Sequence, residues 1–348
     1  MCPMMKKWVA AALVLLLLPV LALAQERVFV DDAGREVMLD EQIERVVVTG
    51  PLGQIAVFAI APDSLAGLCS AWDSDAMPYI NTEKYDLPVI GQIYGGKGNV
   101  NLEELMAVGP QVVIDVGEPR GDIVEDLDNL QAQTGLPFVH ISAYIDSLDR
   151  TYARLGELLG RPDEAKALSD YCADVYARVK ALADRAEKKR LLYVVGEVGL
   201  GVIARDSYHS AVIDMLSDNI AVLDHPSSKG TGNEVDLEQI LSWNPDVILF
   251  SQFGEFETVA DDPLWQAVNA IAQNTYYEVP VGPYNWMGFP PGVQRLLGML
   301  WMGKTLYPDE ADWDMYEETA RHFELFYHAE LTREQYDALV ANSIGKLN

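Results

Sequence analysis

The chain has 348 residues, 49% hydrophobic and 22% charged, enough to bury a core in two domains of ordinary size and unlike either a disordered chain or a membrane bundle. Lys and Arg number 25 against 53 Asp and Glu, for a formal charge of −28. Such a field repels phosphate backbones and anionic headgroups, which excludes nucleic-acid binding.

Residues 1–24 read as a secretory signal peptide. Lys6 and Lys7 precede an uncharged apolar run from Trp8 to Ala24 that closes on Ala22-Leu23-Ala24, a small-x-small cleavage site. The run is broken by Pro19 and falls short of the ~20 residues that span a bilayer. Cleavage is expected after Ala24. Cys2 lies ahead of the basic residues and Gln25 follows the cleavage point, so a lipid-modified cysteine is not expected. Cys69, in an apolar strand-like run, and Cys172, on an apolar helix face, read as buried free thiols rather than a disulfide framework.

From Gln25 short β-branched runs alternate with helical stretches, the pattern of α/β layers. Strands are expected at Arg45–Thr49, Leu65–Ser70, Gln111–Val116, Phe138–Ile141, Leu191–Val195, Asp246–Ser251 and Tyr276–Val279. These fall into two small, mainly parallel sheets, one in each of two three-layer α/β lobes: residues 25–161 and 190–308. Between them, 162–189 reads as a single connecting α-helix. Its apolar residues recur at helical spacing (Leu168, Tyr171, Cys172, Val175, Tyr176, Val179, Leu182, Ala186). Pro162, Asp163 and Glu164 suit its first turn and Lys188-Lys189-Arg190 its last. Residues 309–348, with Phe323, Phe326, Tyr327 and Tyr336 at helical spacings, are expected to form helices packed on the second lobe.

The strongest internal signal is a repeat at an offset of 135. Val100-Asn101-Leu102-Glu103-Glu104-Leu105 leads to Pro110-Gln111-Val112-Val113-Ile114, and Val235-Asp236-Leu237-Glu238-Gln239-Ile240 leads to Pro245-Asp246-Val247-Ile248-Leu249. Each copy reads as an Asx-capped helix with Glu or Gln three positions on, ended by Pro and followed by a buried strand.

These residues resemble the periplasmic substrate-binding proteins of ABC importers for iron-siderophore, haem and cobalamin. The resemblance is carried by Val30-Asp31-Asp32-Ala33-Gly34-Arg35-Glu36-Val37 with Arg45-Val46-Val47-Val48, the two repeats, and Trp243-Asn244-Pro245-Asp246-Val247-Ile248 with Trp265-x-Ala267-Val268. Asn285-Trp286, Pro290-Pro291 and Leu297-Gly298-x-x-Trp301 complete it. It implies two lobes joined by one long helix, a ligand in the cleft between them, and a periplasmic monomer serving an ABC permease dimer with its cytoplasmic ATPase. It also implies that Glu103 and Glu238, one on each lobe, dock into the permease. Both fall in a first helical turn, where the helix dipole favours a carboxylate in any case.

Ligands of open α/β sheets lie beyond the carboxyl ends of strands. That rule selects Arg120, Trp72, Tyr79 and Tyr94 on the first lobe, and Arg205, Tyr208, His209, Tyr284, Asn285 and Trp286 on the second. Aromatic walls and one or two cations suit a metal chelate or macrocycle. An iron-siderophore is the expected ligand, with cobalamin, haem or a nickel chelate as alternatives. Enzyme readings are weaker. Gly91-Gln92-Ile93-Tyr94-Gly95-Gly96-Lys97 is followed by Gly98 where a phosphate loop has Ser or Thr, and Gly196-x-x-Gly199-x-Gly201 orders its glycines wrongly for a dinucleotide. The histidines show no H-E-x-x-H spacing, and there is no G-x-S-x-G elbow. No catalytic residue, no cofactor and no resident metal is expected; an exported metal-dependent enzyme is the competing class.

Overall fold

The computed structural model describes residues 26–82, 86–93, 98–119, 121–196, 199–252, 255–288 and 290–343. The expected signal peptide lies outside them. No helix among the described residues is long and apolar enough to cross a membrane.

An antiparallel hairpin, β1 (Glu26–Val30) and β2 (Glu36–Asp40), precedes the first lobe. There β3 (Val46–Val48), β4 (Val112–Gly117) and β5 (Phe138–Ser142) pair in parallel in that order. Helices α1 (Pro51–Ile60), α2 (Leu102–Val108) and α3 (Ile123–Thr134) connect them. Both sheet faces are covered, so the strands are apolar throughout. Val46, Val48, Val112 and Ile114 enter the large central core, while Val47, Val113 and Phe138 pack with Leu105 of α2 and Leu127 of α3.

The run Leu65–Ser70 is not the full strand expected. It makes isolated parallel bridges, Leu65 to Val46 and then Leu68 to Val89. The change of partner occurs at Gly67, where a Cβ would lie 2.4 Å from Ile90.

Helix α4 (Leu148–Leu159) leads into α5 (Pro162–Arg185), the expected connecting helix, which stops at Arg185 because Ala186 is extended. At ~1.5 Å per residue it is about 36 Å long. Leu168, Tyr171, Cys172, Val175, Val179 and Leu182 form its buried stripe, and both cysteines are free and buried.

The second lobe contains β6 (Arg190–Val195), β7 (Gly201–Val202), α6 (Ala211–Leu216), β8 (Asp218–Asn219) and β9 (Asn233–Glu234). It continues with α7 (Leu237–Trp243), β10 (Val247–Phe250), α8 (Asn269–Ala272) and β11 (Tyr276–Glu278). The strand order is β11-β10-β6-β7-β9, with β8 paired to β6. Pairing is parallel except at β7, which runs against both neighbours.

The repeat is structural. Asn101 Oδ1 accepts from the backbone amides of Glu103 and Glu104, and Asp236 Oδ1 from that of Gln239. Neither helix is stopped by its proline. Each has already reversed one residue earlier, at Gly109 (φ 57°) and Asn244 (φ 44°), left-handed positions that favour these residue types. An arginine at the start of the first strand of each lobe then caps the last turn. Arg45 donates to the carbonyls of Val108 and Gly109, and Arg190 to those of Trp243 and Asn244. The helix C-termini are thereby pinned at the amino edges of the sheets, and their N-termini, with Glu103 and Glu238, reach the carboxyl edges.

The C-terminal segment departs from expectation. Helix α9 (Arg295–Leu306) and α10 (Met315–His322) pack around α5. A π-helical turn, Phe323–Tyr327, then crosses to α1 of the first lobe before α11 (Arg333–Leu339). Its aromatic residues find their partners there, as in the edge-on pair of Phe326 with Tyr152 at 5.5 Å.

His322 is fully buried against Tyr171 and Phe326, and burial holds its pKa down at about 3, from the usual 6.5. The unfolded chain takes up this proton first. Stability from His322 is therefore complete above pH 6.5 and falls by about 1.4 kcal/mol per pH unit toward pH 3. Urea unfolding between pH 7 and 4 is expected to show His322→Phe losing stability less steeply, by about one proton's worth of slope, than the parent.

Candidate binding cleft between the lobes

A cavity of about 630 Å³ lies at the carboxyl edge of the second sheet, with the first lobe closing one side of it. The second lobe supplies Val195 and Gly196 beyond β6, Ser251 and Gln252 beyond β10, the Gly230-Thr231 turn, and Val281, Pro283, Tyr284 and Asn285 beyond β11. The first lobe supplies Asp73 and Asp75. Val281 and Asn285 form an antiparallel bridge, and Asn285 Oδ1 accepts from the Met287 amide at 2.8 Å. This closed turn fixes the wall that carries Tyr284, whose phenol pKa is raised, chiefly by burial. A smaller chamber of about 210 Å³ shares Gln252 and Val281 with the main one and is bounded by Tyr79, Glu278, Asn342 and Ser343.

A second group of polar side chains, none of them in that lining, converges from both lobes around a residue that strand-end reasoning passed over. Arg295 opens α9 yet is only 3% exposed, and its Nε has no hydrogen-bond partner among the described residues. Its stem runs over Gly288, where a Cβ would lie 3.1 Å from Arg295 Cδ; with φ 112° as well, that position is suited to glycine alone. His209 bonds to the backbone of the same Gly288 and of Ser228. Tyr208 from the second lobe and Glu118 from the end of β4 are the groups whose charge favours the guanidinium cation, against the larger opposing effect of burial.

Burial raises the pKa of Tyr208 and Glu118, and Arg295 pulls both back. The His209 pKa is lowered, first by burial and then by Arg295, so its imidazole is neutral at pH 7. The group thus presents one dehydrated cation beside a phenol able to donate to an oxyanion, with the Glu118 carboxyl on its first-lobe side and a neutral His209 ring whose N–H is spent on the backbone. Nearby, α1 begins at Gly50 without a side-chain cap, and its Leu52 lies 3.4 Å from where a Cβ of Gly292 would be. The positive end of α1 therefore meets the Pro290-Pro291-Gly292 loop that leads to Arg295.

The remaining sequence candidates divide. Tyr208 and His209 join this cluster, Tyr284 and Asn285 line the cavity, and Tyr79 lines the side chamber while packing on Phe323 at 5.9 Å. Trp286 does not line the cleft. It is fully buried in the core with its indole N–H on Gly282 O at 3.0 Å, because the bridge at Asn285 turns the next side chain inward. Arg205 is engaged by Asp218 and by the carbonyl of Asn219 at 2.8 Å, away from the lining. Trp72 is half-buried against Phe58 at 4.9 Å. Tyr94 and Arg120 lie outside the described residues. Glu103 and Glu238 are exposed, as is Met106 on the same helix as Glu103. No group of three or more His, Cys, Asp or Glu among the described residues could hold a metal ion.

Arg295 left a trace in the sequence, as a cation directly after Pro290-Pro291-Gly292-Val293-Gln294 at the head of an otherwise apolar helix. Strand-end reasoning misses it because it reaches the cleft from a helix.

Comparison with known proteins agrees with this architecture. A family model described as periplasmic binding protein matches residues 73–281. The molybdate-binding protein MolA of Haemophilus influenzae is 24% identical over 337 residues, covering 87% of this chain and 91% of that protein. Its molybdate-bound structure superposes with a TM-score of 0.65 at 23% identity, over 88% of this chain and 99% of MolA. An ABC transporter solute binding protein from Sulfurospirillum deleyianum gives a TM-score of 0.80 at 23% identity, over 90% and 99% of the two chains.

Trp286→Ala is expected to act as a core truncation, costing about 3–5 kcal/mol. A thermal scan beside Tyr284→Phe, which removes only a hydroxyl at the cavity wall, would show the first midpoint falling steeply and the second barely moving.

Proposed function

The chain belongs to the periplasmic binding protein family, and from that premise we propose that it captures an anionic metal species in the inter-lobe cleft and delivers it to an ABC permease. The buried guanidinium of Arg295 carries this reading. A cation kept almost without solvent and with an unused donor is costly to the fold, and an anionic ligand that accepts its hydrogen bonds removes that cost. The uncapped start of α1 adds a second positive feature.

The dimensions favour a chelate. A cavity of about 630 Å³ is of the size that holds drug-sized molecules, an anionic ferric siderophore complex among them; Arg295 and Tyr208 lie outside its lining, so such a ligand would have to extend past the cavity to reach them. Tyr284 offers it an aromatic surface. Asp73 and Asp75 line the cavity from the first lobe and disfavour ligands that place negative charge against them.

A second reading is a compact oxyanion such as molybdate, which MolA binds. It is favoured by the depth of Arg295, 3% exposed, a position a small tetrahedral ion reaches more readily than a bulky chelate. Calorimetric titration with a ferric catecholate siderophore, molybdate and sulfate would distinguish the readings. Tight binding of the siderophore supports the first; binding of molybdate with no response to the siderophore replaces it with the second. Under either, Arg295→Gln is expected to weaken binding about tenfold to a hundredfold, the worth of a charge-assisted hydrogen bond. An unchanged affinity in that variant would move the ligand elsewhere.

Glu103 and Glu238 fit the delivery step. They stand exposed on equivalent helices of the two lobes, an arrangement that would let them engage two permease subunits at once. In vesicles containing the permease and ATPase, Glu103→Lys/Glu238→Lys is expected to abolish stimulation of ATP hydrolysis while leaving solute affinity intact. Each single change should lose less, because the two contacts form a bivalent grip.

A further inference from the structure

The lobes share the long helix α5 and its core, and a C-terminal strap, residues 313–343, joins them a second time. It leaves the second lobe at Trp313, whose indole N–H donates to Leu300 O at 3.1 Å. The π-helical turn then meets the first lobe. His328 Nε2 lies 2.9 Å from Phe58 O, with the two rings edge-on at 5.4 Å. Tyr327 O accepts from the Asn81 amide at 3.1 Å, and Gln335 Nε2 donates to Pro78 O at 3.3 Å. The chain returns to the second lobe at Asn342, which donates through Nδ2 to Glu278 Oε2 at 2.7 Å and accepts from the Glu278 amide at 3.2 Å. Between these anchors Tyr327 packs on Tyr284, the cleft-wall residue, at 6.4 Å.

We propose that this strap is a clamp that fixes the width of the cleft: it crosses from lobe to lobe twice and backs Tyr284, so that in the solute-free protein the separation of the lobes depends on the strap as well as on α5. The clamp goes beyond the proposed function and does not depend on the ligand. Three properties of the strap point to it. Its contacts with the first lobe include one between main-chain atoms on both sides, Asn81 N–H to Tyr327 O, so rotating one lobe against the other must break hydrogen bonds. Its aromatic side chains Phe323, Phe326 and Tyr327 are all buried, so separating the strap from the first lobe would also expose apolar surface. The crossing point is held in an uncommon geometry, with His328 left-handed at φ 52°, a conformation that a residue other than glycine adopts when its surroundings dictate it.

The test is a distance measurement across the cleft in the full-length solute-free protein. Spin labels at Glu125→Cys in the first lobe and Asp261→Cys in the second occupy exposed positions. Cys2 is replaced by Ser, and Cys69 and Cys172 are buried with raised pKa values, about 11 for Cys69, and so escape labelling. Pulsed electron resonance is expected to return one narrow distance distribution in the labelled parent. It should broaden and lose its single peak in His328→Gly/Gln335→Ala, with the circular dichroism spectrum retained. Glycine keeps the left-handed backbone at 328 while removing the ring that reaches Phe58. A broad distribution in the parent, or an equally narrow one in the loosened variant, would overturn the clamp. Should the double variant fail to fold, Gln335→Ala alone, which removes one side-chain contact to Pro78, answers the same question by the same two outcomes.

Discussion

The stripe of α5 is the reference to which the rest of the molecule is fixed. Leu168, Tyr171, Val175, Val179 and Leu182 are fully or almost fully buried, and they belong to a single apolar cluster that holds Val46 and Ile114 of the first sheet together with Leu191 and Leu249 of the second. The outer faces of the sheets have cores of their own. Each lobe is thus a three-layer sandwich whose inner layer is shared, and a change in the angle between lobes has to disturb packing rather than bend a linker.

Given that frame, the position of the cleft follows from chain direction. The strands that matter leave the shared core at their carboxyl ends, and the repeat helices return antiparallel to them because arginines at the strand starts hold the helix C-termini. Ligand-facing loops and the two exposed glutamates consequently share one rim of the molecule. A solute bound there lies beside the surface proposed to meet the permease.

Much of this was legible in the sequence, for identifiable reasons. Strands buried on both faces read as unbroken β-branched runs, and α5 has a periodic stripe and charged ends, so both stand out. The repeat is visible because Asx caps, glutamates and Pro-Gln or Pro-Asp strand starts recur at one fixed offset. Legibility failed where tertiary contacts override local pattern. Leu65–Ser70 has strand composition but changes partner at Gly67. Trp286 has the loop setting of a pocket residue, yet the bridge at Asn285 aims it into the core. The short strands β7, β8 and β9 are two residues each and carry no period. Residues 309–348 announced their helices but not their destination, because aromatic spacing reports a buried face and not the lobe that buries it.

Arg295 bears on which anions can be told apart. In most surface sites both partners shed water when they meet, and strongly hydrated anions are handicapped only by their own share. Here the fold has already stripped the guanidinium, so dehydration of the incoming ion becomes the dominant variable cost. An anion site built on that guanidinium would rank ions by how readily they release their shell, a constraint separate from how far a bulky ligand can reach. That discrimination would be set by how deeply one side chain lies, before any contact specific to a ligand is made.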